Sequence, residues 1–414
     1  MSPVPTVLLP WSGLLQHDAE SFDPSKMKTA ALGFGNSQTL ERFAWDLELL
    51  SQLEALAPAG AVTFAGGGCT MLHLDKHEQR VSVDLDLYFW TGTKASSEAA
   101  WKKVMDAFAA RLGHQDASYF QLIEYVPSDP KVTLPMHAYE VVCPTATGQT
   151  VMATGLLGCR IVVEVVLAEP ASREPISARA VLPFASSGPH TGSSARGLIA
   201  SKLLALSVGE VGLPHKRMYE LAKHVHDIAR LQQRHLLTVA DLEELHGLLK
   251  KVLAIENSWH RRQSTLERCQ VSANTMMNVF ESTLLRAAIT DLENNNLRTK
   301  LGDEIWQTWP RLVRLLFSAA VGPHQRTEFL EARRVLDEYL WIAKLTSPQQ
   351  RKQLEDLLLD DLNKASYGSR GILKGLPPSA LFIELVFHGR LDAAIATCRP
   401  AFDPAWPPFP ITPV

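Results

Sequence analysis

Between Ala61 and Tyr88 the pattern of apolar positions changes twice. Ala61-Val62-Thr63-Phe64-Ala65 is a short β-forming run that stops at Gly66-Gly67-Gly68, and Cys69-Thr70-Met71-Leu72-His73-Leu74 then reads as helix. From Arg80 onward, Val81, Val83, Leu85 and Leu87 alternate with Arg80, Ser82, Asp84, Asp86 and Tyr88, the period-two mark of a strand with one apolar and one polar face. The pattern predicts strand, glycine turn, helix, strand. Upstream, Leu40, Phe43, Ala44, Leu47 and Leu50 fall at helical spacing and predict a helix over 37–57. Trp101, Val104, Met105, Phe108 and Leu112 do the same for 96–112, and strand-like stretches recur at 119–126, 138–143, 150–154 and 159–167. Helices mixed with such strands predict an α+β fold whose mixed sheet is mostly antiparallel in its later part.

The segment Ser186-Ser187-Gly188-Pro189-His190-Thr191-Gly192-Ser193-Ser194 has the composition of a linker, and everything after it reads as helix. Breaks fall near 294–296, Pro310 and Gly322-Pro323 without a fixed repeat length. The expected organisation is an irregular arm over 1–36, a core over 37–185, a helical domain over 196–395 and a Pro-rich tail over 396–414.

A strand turns alternate side chains to the same face, so Asp84 and Asp86 stand together and can hold a divalent ion. Hard oxygen ligands favour Mg²⁺, which takes its remaining ligands from water and substrate phosphates, so the pair implies a phosphorylated partner. The competing reading is an edge strand with a solvated charged face. Against it stands the glycine run one helix upstream, where bare backbone lets a phosphate approach closely. A third carboxylate, Glu164, sits inside Ile161-Val162-Val163-Glu164-Val165-Val166, where a charge is costly unless paired or metal-bound. Arg160 on the same strand face offers it an ion pair instead.

Gly-Gly, a short helix and then Arg80-x-Ser82-x-Asp84-x-Asp86 resembles the first motif of the AbiEii-type nucleotidyltransferases, toxins of the DNA polymerase β-like superfamily that include the MenT toxins. The family has Ser or Thr directly after the glycines. Here Cys69 takes that place when Gly67-Gly68 is the matching pair, with Thr70 one residue later. Lys202 in an apolar helix, Arg217 and Asp227 match the order of a second family segment, a lysine helix, an arginine, then Arg-Asp-x-x-Asp-Leu. His224 stands where an Asp is common, and the connection Ser207–His215 is longer than usual.

The resemblance implies a polymerase β-like nucleotidyltransferase domain followed by a helical C-terminal domain that contributes Lys202 and Asp227. It implies an NTP substrate with Mg²⁺ or Mn²⁺ on Asp84, Asp86 and Glu164, and nucleotide contacts from Gly67, Gly68, Thr70, Arg80, Ser82 and Lys202. Asp227 would hold the lysine or the acceptor. The implied acceptor is the tRNA 3′ end, and the implied role is the toxin of a type IV toxin–antitoxin or phage-defence pair with a cognate antitoxin. MenT-type relatives can be phosphorylated within this motif, which makes Ser82 a candidate modification target. Transfer to a protein or small-molecule acceptor is a competing reading, as is an inert nucleotide- or partner-binding module. The departures at Cys69 and His224 favour the inert module, whereas the intact Asp-x-Asp disfavours it.

Composition changes this picture little. The 414 residues carry 41 basic and 44 acidic side chains, a net charge of −3 that neither demands nor excludes a nucleic-acid partner. Trp259-His260-Arg261-Arg262, Arg311 with Arg314, and Arg333-Arg334 are candidates for holding an RNA backbone, against the reading of solvated helix faces. Five cysteines without metal-like spacing fit free thiols in a cytoplasmic protein, and no long apolar run predicts a membrane span. His73 and His77 share a helical face but lack a nearby third ligand, which favours a structural role. There is no His-Glu-x-x-His, no Gly-x-Ser-x-Gly elbow and no Walker loop.

Overall fold

The computed structural model describes residues 37–113 except 76, 77, 81 and 83, then 121–124, 136–145, 150–151, 157–177, 189–213, 217–235, 239–260 and 262–279, with isolated positions elsewhere. His77, Val81, Val83, Arg261, Arg311, Arg314, Arg333, Arg334, the breaks after residue 292 and the tail lie outside the described residues, as does the N-terminal arm apart from two isolated positions. The chain forms two compact units. One comprises Met1–Leu198, Ala254–Arg262 and Leu292–Thr299, and the other Ile199–Leu253, Gln263–Asp291 and Lys300–Val414.

The first unit is built on an eight-stranded mixed sheet. Its strands are β1 (Val62–Phe64), β2 (Asp84–Phe89), β3 (Gln121–Glu124), β4 (Met136–Pro144), β5 (Thr150–Val151), β6 (Leu157–Val166), β7 (Glu174–Ile176) and β8 (His190–Gly192). They lie in the order β3-β4-β6-β2-β1-β8-β7, with β5 on β6. β2 runs parallel to β6 and β1 parallel to β8, while the other pairs are antiparallel. Leu85, Leu87, Phe89, Ile161, Val163 and Val165 form the buried face. Helix α1 (Ser37–Leu56) packs on β1, β2 and β6, and α3 (Lys94–Gly113) sets Trp101 edge-on against Phe89 at 5.1 Å. Fully burying one such side chain contributes about 1.5–3 kcal/mol. The Trp101 indole N–H donates to the Tyr139 hydroxyl at 3.3 Å, so the polar tips of these two rings are paired with each other.

Two expectations are corrected. The proposed linker contains β8, because its backbone completes the sheet beyond β1; Ser193 N–H donates to Phe64 C=O at 2.8 Å. Three residues are too few to show a period, so nothing in the side chains announces this strand. The glycines are not a turn before a helix but the first turn of it, since α2 spans Gly66–Leu72.

In the second unit, α4 (Ala195–Ala205, whose first residues belong to the first unit), α5 (Met218–Arg234), α6 (Val239–His260, whose residues from Ala254 on belong to the first unit) and α7 (Leu266–Val279) are the described long helices. Val225, Ile228, Ala229 and Leu231 of α5 are buried, as are Leu242, Leu245 and Leu249 of α6. Among the described residues no helix is long and apolar enough to cross a membrane.

Candidate active site

Regular pairing of β2 begins at Asp84, and from there burial alternates: Asp84 exposed, Leu85, Leu87 and Phe89 buried, Asp86 and Tyr88 half-buried. The period-two reading thus places both aspartates on one face. The parallel register sets Asp86 against Glu164 and Asp84 against Val162, so Glu164 shares that face about 4.8 Å away in backbone spacing. Arg160 is bridged at 3.4 Å to Glu140 on the neighbouring strand. Among the described residues no three histidine, cysteine or carboxylate side chains converge tightly enough to cage an ion by themselves.

The glycines explain how strand and helix come so close. Gly66 has φ +65°, a conformation that side chains resist, and a Cβ there would lie 1.7 Å from Asp86 Oδ2. Ala65 N–H donates to Asp86 C=O at 2.9 Å, which ties the helix entrance to the acidic strand. A Cβ on Gly67 would meet Ser82 Oγ at 2.5 Å and an Arg80 guanidinium nitrogen at 3.0 Å. Gly68, two helical steps and about 200° further round, is instead blocked by the Phe64 ring at 2.5 Å. The glycines facing the polar motif are therefore Gly66 and Gly67, and Gly68 serves packing. Thr70 is buried with its hydroxyl donated to Gly66 C=O at 2.8 Å, and the Cys69 thiol is directed to Ser193 C=O at 3.6 Å. Neither supplies the hydroxyl expected after the glycines. The hydroxyl beside the glycine backbone is that of Ser82. Gly66→Ala is expected to cost about 2 kcal/mol from the forbidden φ alone, read as a lower urea midpoint; an unchanged midpoint would show that the turn relaxes freely.

Asp46 is the residue that sequence reasoning missed. It lies on α1, is fully buried, and neither carboxylate oxygen has a hydrogen-bond partner among the described residues. Burial holds its carboxyl well above the usual range; the Asp84 charge pushes the same way, Arg42 opposes, and Asp86 adds to the rise. The available signal was its setting in Phe43-Ala44-Trp45-Asp46-Leu47, whose other members are all buried. A raised folded-state value means that the native protein keeps a proton which the unfolded chain gives up above about pH 4, so stability falls as pH rises from there toward the raised value. Asp46→Asn removes that slope. Urea unfolding is expected to show the variant gaining on the unmodified protein at pH 8 relative to pH 4.5; the same difference at both would refute titration of Asp46.

The second unit carries Lys202 and Asp227. Lys202 stands in the last turn of α4 and donates to Asp227 Oδ2 of α5 at 2.7 Å, with both side chains almost wholly buried. His226 Nδ1 lies 3.3 Å from the other oxygen, Oδ1. Arg217 is the cap residue before α5, and His224 is half-buried on it. The connection from α4 is a folded turn. Gly209 takes φ +84°, Gly212 N–H donates to Ser207 C=O at 2.9 Å, and Leu213 N–H donates to Ala205 C=O at 2.9 Å. Glu210 receives Ser264 Oγ at 2.5 Å and Arg268 Nη2 at 2.8 Å, and Ser207 Oγ donates to Cys269 C=O at 3.1 Å.

His73 places Nε2 2.9 Å from Ser193 C=O and Nδ1 3.4 Å from Glu174, which joins α2 to β7 and to the end of β8. Of the first basic cluster, His260 pairs with Glu256 at 3.4 Å and Arg262 is exposed. Cys69, Cys143, Cys159 and Cys269 are buried with free thiols. Burial pushes Cys159 up to about 12 and Cys269 up to about 11, which makes both poor nucleophiles.

No curated protein matches the chain. Residues 48–326 match the family described as nucleotidyl transferase AbiEii toxin, type IV TA system, a span that includes β2, the glycine-opened α2, Lys202 and Asp227. With most of its 414 residues inside that match, the chain belongs to the AbiEii nucleotidyltransferase toxin family of type IV toxin–antitoxin systems.

Proposed function

We propose that the protein transfers a nucleoside monophosphate from an NTP to the 3′-terminal hydroxyl of tRNA in a reaction that depends on Mg²⁺ or Mn²⁺. The observation that supports this most is the contact between Asp86 and the bare backbone of Gly66, a carboxylate held beside main chain that no side chain screens. The donor set suits a hard cation, with two carboxylates on one strand face and Glu164 in register beside Asp86. When bound, such an ion neutralises charge at the α-phosphate as the acceptor oxygen attacks in line and pyrophosphate leaves.

The chain's own residues do the rest of the work. Asp84 and Asp86 bind the ion, and Arg80 brings a fixed positive charge to Gly67, where Ser82 offers a hydroxyl. Lys202 is assigned by family resemblance to the nucleotide phosphates, whose charge one cation does not cancel. Asp227 holds that ammonium in place.

The reading is tested by incubating the protein with each α-labelled NTP, Mg²⁺ or Mn²⁺, and total RNA. Label at tRNA 3′ ends, abolished by EDTA, is expected. Label on protein or on no macromolecule would overturn the tRNA assignment.

A further inference from the structure

The Lys202–Asp227 ion pair engages one carboxylate oxygen, Oδ2, and the other has a neighbour of its own. That oxygen, Oδ1, lies 3.3 Å from Nδ1 of His226, the preceding residue on α5. Successive helical residues point about 100° apart, so adjacent side chains do not ordinarily meet. Here both are buried, with His226 at 0% and Asp227 at 1% exposure, so packing rather than solvent sampling holds the ring against the carboxylate. A carboxylate facing an ammonium accepts hydrogen bonds, and the ring nitrogen at Oδ1 must therefore carry the proton.

We infer that His226 is a positioning residue: by donating its Nδ1–H to Asp227 Oδ1 it stops rotation of the carboxylate and thereby fixes the Lys202 ammonium on Oδ2. The inference rests on the nucleotidyl-transfer reading for what Lys202 does, and on the contacts at Oδ1 and Oδ2 for how it is held. A donor on each of the two oxygens, as Lys202 and His226 provide, holds the carboxylate plane against rotation. A point charge serves a phosphate only where it is aimed, and small displacements of such groups cost rate steeply. His226 acts through Asp227 and is not itself a catalytic residue.

The side chains that test this differ in where they carry a donor. Asparagine at position 226 places its amide nitrogen close to the position of Nδ1, glutamine reaches to that of Nε2, and leucine has none. In NTP-saturation assays, His226→Leu and His226→Gln are expected to lower kcat by about tenfold, and His226→Asn to recover most of that loss. Thermal unfolding of all three separates a positioning role from a packing one. Equal losses in all three variants, or losses that follow Tm rather than the donor, would overturn the inference. Independently of any activity, ¹⁵N spectra of histidine-labelled protein are expected to show His226 protonated at Nδ1, with a shift in Asp227→Asn. A lone Nε2 proton would overturn it as well. Should the unmodified protein transfer no nucleotide, the nucleotidyl-transfer reading fails on its own, and the spectrum still decides whether His226 orients Asp227.

Discussion

Asp86→Asn is expected to lower nucleotidyl transfer by about 10³-fold with the fold intact. Asparagine keeps the shape that rests on Gly66, and the strand keeps its backbone bond to Ala65. What disappears is one of the two negative charges on the face that would hold the cation. Loss of that charge also relieves repulsion with Asp84 on the same strand face, so Tm is expected to stay level or rise. An inactive variant with raised stability is the mark of a residue kept for chemistry at the expense of folding. Transfer within a factor of ten of the unmodified rate, at several Mg²⁺ concentrations, would remove Asp86 from the site.

The second large effect concerns stability. Lys202→Met should destabilise the protein by roughly 3–5 kcal/mol, because it leaves the Asp227 carboxylate buried without its ammonium. Against a total stability of about 5–15 kcal/mol that is a severe loss. Lys202→Met combined with Asp227→Leu removes both charges, and apolar replacement of a buried pair is often neutral, so the double variant should regain most of the stability. It should regain no transfer activity. Urea unfolding of the two singles and the double closes the cycle; strictly additive losses would show that the pair is not coupled.

Much of this arrangement was legible from local pattern. The alternation over Asp84–Phe89 gave the strand and its two faces, and helical spacing anticipated α1 and α3 to within a few residues. Glu164 was legible as an anomaly among valines, but its place opposite Asp86 depends on the parallel register of β2 on β6, which sequence spacing does not encode. Asp46 escaped notice because α1 was read as having one apolar stripe, whereas Glu41, Trp45, Asp46 and Glu48 are buried along with Phe43, Leu47 and Leu50. The apolar residues on both sides of Asp46 were the one sign that this helix is buried beyond a single stripe. The glycine assignment shifted by one because a helix turns about 100° per residue, and the first residue of α2 could be located only from backbone angles. Strand β8 was invisible for a different reason, since main-chain hydrogen bonds rather than side chains recruit it.

The folded connection between α4 and α5 bears on how the second unit can change over evolutionary time. A long link between two helices is normally where insertions and deletions accumulate, because spare chain absorbs them. Here residues 205–213 close back on themselves and are fastened at Glu210 and Ser207 to the stretch around α7, so this part of the link is held by side chains as well as backbone. A deletion within 205–213 would thus break these fastenings to α7 and disturb the end of α4 that carries Lys202, whereas the same deletion in a loose loop would pass unnoticed.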